Sequence, residues 1–301
     1  MELFKGQVAV VTGAGSGIGL ALAERFASAG LNIVAADVQD DALAAAGERI
    51  ATRGVAVFTQ RCDMSKHDEV VALAQATIER FGGVHVVCNN AGVAARADPW
   101  FGPISAWEWV MGVNFWGVVH GCRAFLPHLL GGGHIVNTAS IAGLYPGFSP
   151  AYDASKHAVV AISEGLYRML TMVGLPVGVS VLCPGWVHTS IMDADRNWPD
   201  DLGAKPEPAP SAAVTEPHVR RAIAEGATPA FIADAVGDAV QNGQFWVIPQ
   251  QEFLDVVVER WDTIAERANP SPASQTPGMP PPEQLMAEVM AALGLSPPSD
   301  G

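Results

Sequence analysis

The chain has 301 residues, 49% of them hydrophobic, which fits one large α/β domain or two small ones with a sizeable core. Its formal net charge of -14 argues against a nucleic-acid partner, which needs clustered cations, and disfavours a strongly anionic substrate. No apolar stretch reaches the roughly 18 residues of a membrane span, and the opening "MELFKGQVAVVTG" has no signal-peptide pattern, so a cytoplasmic protein with no membrane partner is expected.

Short β-rich runs alternate with longer helical segments. "QVAVVT" (7–12) reads as a strand, and residues 17–29 give a helix with Ile18, Leu22 and Phe26 on one face. "LNIVAAD" (31–37) is a second strand, followed by a helix over 40–52. "VAVFTQ" (55–60) is a third, followed by a helix over 66–82; "VHVVCN" (84–89) is a fourth, and a long helix follows over roughly 105–128. "HIVNTAS" (134–140) is a fifth strand, with the helix holding Lys156 after it. "VGVSVLC" (177–183) is a sixth and "QFWVIP" (244–249) a seventh. The strands are apolar throughout, as parallel strands covered on both faces must be. This alternation predicts an α/β fold, a Rossmann-type doubly wound parallel sheet of about seven strands with helices on both faces.

Residues 190–228 break the rhythm: Pro199, Pro206, Pro208, Pro210 and Pro217 predict a mobile loop with short helical pieces. It leaves the sixth strand at its carboxyl end, where ligands bind in open α/β sheets, so a substrate lid is expected. Residues 251–267 carry Phe253, Leu254, Val257, Trp261 and Ile264 at helical spacing. A Pro-rich linker or arm over 268–282 then leads to an amphipathic stripe of Met286, Val289, Met290 and Leu293, expected to pack on its own domain or on a neighbouring subunit. The domain reading is therefore one unit over 1–268 and an extension over 269–301. Cys62, Cys88, Cys122 and Cys183 form no CxxC pair and read as thiols in a reducing compartment; no Cys/His cluster suggests a metal.

"TGAGSGIG" (12–19) joins the first strand to the first helix. Glycines at 13, 17 and 19 allow a tight turn and a close backbone approach, and a helix N-terminus offers unpaired N–H groups to a pyrophosphate. Gly13, Gly15, Ser16, Gly17, Ile18 and Gly19 are therefore candidate dinucleotide contacts. Asp37 ends the second strand, where a carboxylate accepts hydrogen bonds from ribose hydroxyls and repels a 2′-phosphate. Neither Ser16 nor Val38 is basic, so NAD is expected rather than NADP. Asp63, with Met64 beside it, can meet the adenine amino group, although helix N-capping explains Asp63 nearly as well. In "NNAG" (89–92), Asn90, Ala91 and Gly92 let the chain pass close to a ribose.

Tyr152 precedes Lys156 by one helical turn in "YDASK", so both side chains share a face. An ammonium beside a phenol favours the phenolate and makes it a usable base. Ser140, twelve residues upstream, can polarise a substrate oxygen from the same sheet edge. Asn114, mid-helix in "GVNFWGV", can hold a water that returns protons from Lys156.

Over roughly residues 5–250, the ordered set "TGAGSGIG", Asp37, "NNAG", Asn114, Ser140, "YDASK" and "PGWVHT" (184–189) resembles the short-chain dehydrogenase/reductase superfamily. The resemblance implies that Tyr152 is the acid/base, Lys156 its assistant, Ser140 the substrate-orienting hydroxyl and Asn114 the proton-relay residue. It also implies nicotinamide contacts at Pro184, Gly185, Val187 and Thr189, and a homodimer or homotetramer built on the helices at 105–128 and 152–172. The variable pocket segments of the family correspond to about 93–101, 141–150 and 186–215. They bring Trp100, Phe101, Leu144, Tyr145, Phe148, Trp186, Met192 and Trp198, which suit a medium-sized apolar or aromatic secondary alcohol or ketone. An NADPH-dependent carbonyl reductase and a non-catalytic dinucleotide-binding regulator are the alternatives.

Overall fold

A computed structural model of the chain describes residues 1–147, 149–271 and 275–295. Seven strands, β1 (Val8–Thr12), β2 (Asn32–Asp37), β3 (Val57–Arg61), β4 (Val86–Asn89), β5 (Gly133–Thr138), β6 (Val177–Leu182) and β7 (Trp246–Val247), form one sheet. Their order is β3-β2-β1-β4-β5-β6-β7, and every neighbouring pair is parallel. The chain winds outward from β1 to β3, then returns to lay β4 on the other side of β1. The connections leaving β1 and β4 therefore diverge, which opens a crevice at their carboxyl ends.

The covering helices explain why the central strands are apolar on both faces. Ala9 and Val11 of β1 point into a core with Leu22, Phe26, Leu43, Ile50 and Ile232. Val8 and Val10 point the other way, to Val70, Leu73, Phe125, Leu129 and Leu170. The first core is closed by α1 (Gly17–Ser28), α2 (Asp40–Ala51) and α8 (Pro229–Asn242), the second by α3 (His67–Phe81), α5 (Gly117–Leu129) and α6 (Pro150–Met172). The predicted face of α1 is met at Leu22 and Phe26, both fully buried. Among the described residues, no helix is long and apolar enough to cross a membrane.

Several expectations are corrected by the structure. The edge strand β3 is only partly buried, because only one neighbour covers it. The helix expected over 105–128 is two, α4 (Ser105–Met111) and α5, joined by a π-helical turn at Gly112–Trp116 that contains Asn114. Within the Pro-rich stretch, Ala212–Ala224 is a 13-residue helix, α7, with Pro217 inside it. The sequence reading also passed over α8, although its ends are well marked: the Thr228 hydroxyl accepts from Phe231 N, Pro229 opens the helix and Gly243 ends it at φ 66. The seventh strand shrinks to two residues. In α9 (Leu254–Glu266), Val256 packs inward beside the preceding Phe253, while Trp261 and Ile264 are exposed. In α10 (Pro282–Ala292), Leu285 is the buried residue and Met286 is exposed.

The close contact between α5 and β4 sets where the loop after β4 begins. A Cβ at Gly121 would stand 1.9 Å from Asn89 Oδ1, and Asn89 is itself buried and donates to Asn137 Oδ1 at 2.9 Å. Gly121→Ala is expected to destabilise the protein by about 1–3 kcal/mol through overpacking, read in urea denaturation as a lower midpoint at unchanged slope.

Candidate active site

The turn after β1 is built by positions that a side chain would block. Gly13 and Gly17 sit at φ +66 and +53, and a Cβ at Gly19 would lie 2.0 Å from Gly13 O. No side chain caps the first turn of α1 and no acidic residue lies in it, so its N–H groups and partial positive charge face the crevice. The Asp37 carboxylate accepts from Gly15 N at 2.9 Å and Gln39 N at 3.0 Å, which fixes it beside the turn. Thr12 Oγ1 accepts from Asn90 N (2.9 Å) and Ala91 N (3.1 Å), while Thr138 donates to Asn90 Oδ1 (3.2 Å). These bonds lace the ends of β1, β4 and β5 together. Asp63 Oδ1 accepts from Ser65 N and Oγ at 2.9 and 2.8 Å, a local turn leading into α3.

One cleft of about 470 Å³ runs along this edge. Of the expected dinucleotide contacts, all but Gly15 line it; Gly15 lies just behind, its N–H engaged by Asp37. From across the cleft, Thr189 reaches the glycine turn: a Cβ at Gly17 would stand 3.1 Å from Thr189 Cγ2. The uncapped helix N-terminus, the glycine cradle and the carboxylate at the end of β2 suit the pyrophosphate and ribose of a dinucleotide.

Ser140, Tyr152 and Lys156 line the same cleft. Lys156 Nζ is buried, donates to Thr138 O at 2.9 Å and stands 5.5 Å from the centre of the Tyr152 ring. Burial pushes its pKa down to about 8. Burial also pushes the Tyr152 phenol up to about 12, although its hydrogen bond with Ser140 draws it back. The expected lowering of the phenol by the ammonium is not what shifts it here: the amine is turned to Thr138 O at the end of β5, and burial, with the Asp153 charge adding to it, raises the phenol. Asn114 does not line the cleft. Its amide closes onto the backbone of Val93 (N to Oδ1 2.8 Å, Nδ2 to O 3.0 Å) and onto Ser155 Oγ (3.0 Å), which in turn donates to Tyr152 O (2.7 Å). Asn114 therefore pins the start of α6 to the loop after β4.

At the far end, Tyr145, Trp186 and Met192 line the cleft as expected. Trp100 and Phe101 instead face solvent, at 72% and 94% exposure. Leu144 is buried beneath the wall, and Trp198 packs edge-on against Trp109 at 5.2 Å. Phe148 lies outside the described residues. The sequence reading missed a charge cluster here: Arg96 bonds Asp195 at 2.6 Å and Glu216 at 3.1 Å, and Arg220 bonds Glu216 and Asp193 at 2.7 Å each. Burial alone would raise Asp195 and Glu216, but hydrogen bonds from the cationic partners hold both below the usual carboxylate range. It also missed Thr276 and Met279, which reach the cleft from the C-terminal segment. Only proximity in space signals either group.

The profile of the short chain dehydrogenase family matches residues 7–200. The putative oxidoreductase SadH of Mycobacterium tuberculosis is 40% identical over 195 residues, 64% of this chain and 70% of that protein. The 1-deoxy-11-beta-hydroxypentalenate dehydrogenase of Streptomyces avermitilis is 44% identical over 187 residues, 60% of this chain and 68% of that one. Among solved structures, a short chain dehydrogenase/reductase from Burkholderia phymatum in complex with NAD superposes with a TM-score of 0.88 at 41% identity, covering 92% of this chain and all of that one (100%).

Asp153, next to Tyr152, is buried and accepts from Gly147 N at 2.9 Å. Burial raises its carboxyl to about 6, against the pull of the Gly147 and Ser149 N–H groups. A raised acid binds its proton more tightly folded than unfolded, so it costs stability as pH climbs from about 4 to 6. Relative to Asp153→Asn, the wild type should lose stability across that window and hold a constant deficit above it, as read by urea unfolding at a series of pH values.

Proposed function

The chain belongs to the short-chain dehydrogenase family, and on that premise we propose that it oxidises a medium-sized, apolar or aromatic secondary alcohol with NAD, or reduces the matching ketone with NADH. The observation that carries this reading is the meeting of Ser140, Tyr152 and Lys156 in one cleft with the glycine turn. When bound, the dinucleotide supplies the hydride acceptor at its nicotinamide C4. Ser140 donates to the carbinol oxygen and fixes it against Tyr152. Tyr152, as the phenolate, takes the hydroxyl proton as the carbinol C–H leaves as hydride, so a ketone forms and a hydride and a proton depart by separate routes. Lys156 stabilises the phenolate and passes the proton on. Asn114, its amide engaged by Val93 and Ser155, is a positioning residue that keeps Tyr152 in place.

The glycine turn from Gly13 to Gly19 would hold the pyrophosphate, Asp37 the adenosine ribose, and Asp63 with Met64 the adenine. Gly92 and Lys156 would meet the second ribose, and Pro184, Gly185, Val187 and Thr189 the nicotinamide. NAD is favoured over NADP because Asp37 repels a 2′-phosphate. Arg196, which approaches from the far wall, donates to Ser190 O and Asp193 O and is engaged with Gln39. Residues 1–268 act as one dehydrogenase unit with 190–228 as its lid, tied to the opposite wall through Arg96. We assign the enzyme to the cytoplasm as a homodimer or homotetramer built on α4–α5 and α6, where Trp116, Tyr167 and Met169 are exposed.

Tyr152→Phe should lower turnover of secondary alcohols by about 10²–10⁴-fold while NADH still binds, as followed by nicotinamide fluorescence; undiminished turnover would sink the assignment. Asp37→Ser should raise kcat/KM for NADP relative to NAD by about tenfold or more, a change of roughly 1.4 kcal/mol in discrimination.

A further inference from the structure

We infer that the C-terminal segment at Thr276–Met279 is a wall of the substrate pocket, and that it selects apolar secondary alcohols or ketones carrying a second hydrogen-bonding oxygen away from the reacting carbon. The inference rests on the dehydrogenase reading above and adds to it what the far end of the pocket recognises.

Three contacts carry the segment to the cleft. The Tyr145 hydroxyl donates to Thr276 Oγ1 at 3.3 Å. Trp186 Nε1 donates to Pro277 O at 2.7 Å, and Gly278, at φ +79, lies so close to the indole that a Cβ there would be 3.2 Å from it. Met279 is buried in a small cluster with Ala222 of α7 and Leu285 of α10. Outside these, His218 of α7 and Glu288 of α10 meet at 2.9 Å. Tyr145 follows the Ser140 turn, Trp186 lies in the segment expected at the nicotinamide, and α7 belongs to the lid region. The segment is therefore fastened to three parts of the pocket at once.

Thr276 and Met279 line the same cleft as Ser140 and Tyr152. The Thr276 side chain brings a hydroxyl that both donates and accepts. With Tyr145 it forms a hydroxyl pair in a cleft that Trp186, Val219, Ile223 and Met279 also line. Two hydroxyls that share one hydrogen bond between them still offer a donor, here the half-buried Thr276 hydroxyl, and a partly desolvated donor beside apolar side chains favours a ligand oxygen that meets it. The unbranched thioether of Met279 adapts to an apolar ligand body alongside. Burial keeps the Tyr145 phenol protonated by raising its pKa, so the pair remains a donor at neutral pH.

The test compares benzylacetone with its para-hydroxy analogue, which adds one oxygen far from the carbonyl. With NADH, the wild type should show a KM for the hydroxylated ketone about tenfold lower, the worth of one net hydrogen bond. Thr276→Val should erase that difference by raising the KM of the hydroxylated ketone, and Thr276→Ser should restore it. Equal KM values in the wild type, or a preference that survives Thr276→Val, overturn the inference. Hydrogen exchange on the full chain supplies a readout independent of turnover. NADH should protect residues 13–19, and added hydroxylated ketone should protect 275–285. Protection of 13–19 without protection of 275–285 overturns this inference alone; no protection of 13–19 overturns the dinucleotide reading beneath it.

Discussion

An ammonium that water scarcely reaches governs the site. Lys156 lies on the buried side of α6 with Thr138 O as its hydrogen-bond acceptor, and burial has brought its pKa down to about 8. The neighbouring phenol has been driven the other way, to about 12. Both shifts have one origin: a charge removed from water is costly unless an opposite charge or a set of dipoles replaces the water. The two groups therefore relieve each other when they approach, and an ammonium carries three donors, more than one carbonyl can satisfy. This is why the surrounding atoms are held so firmly. Asn114 clamps α6 through Ser155, and Thr12 and Asn90 clamp the strand ends. A tunable pair works only if its spacing does not drift.

The parts of the site that were legible in the sequence are those set by local spacing. The glycine turn announces itself because each glycine fills a position that forbids a Cβ, and the Tyr152–Lys156 interval because one helical turn aligns two side chains. The alternation of strand and helix was legible because a strand covered on both faces must be apolar on both. What sequence could not give was long-range. Arg96 finds Asp195 and Glu216 some hundred residues away, and nothing in "VAARAD" indicates those partners. The direction in which the Tyr152 pKa moves depends on how much water the fold leaves beside it, a property of packing and not of spacing. Trp100 and Phe101 misled because aromatic residues near a pocket segment were read as pocket wall, whereas a loop tip can hold them in solvent. The prolines of 206–217 misled in the opposite sense: Pro217 is accommodated inside α7, where context outweighs propensity.

The charge cluster around Arg96 and the contacts of Thr276–Met279 share a character. Each joins segments that leave the sheet at different strands, so the substrate end of the cleft is assembled from tertiary contacts, whereas the dinucleotide end is assembled from turns. The dinucleotide end can therefore stay constant while the substrate end is rebuilt, since turns are encoded by a few adjacent residues and walls by many distant ones.

The position of β4 beside β1 has a consequence for how the chain reaches this state. Val86 sits against Ala9, so the central pairing closes a loop of more than seventy residues before any contact across it is gained. The entropy of that closure is lost early and recovered late, which slows the search for the native topology. During synthesis the first three strands and their helices emerge with one flank of β1 still open, and the nucleotide cradle has no floor until β4 inserts. Nascent chains are thus obliged to wait, with an unpaired strand edge showing, for the segment that finishes the centre of the sheet.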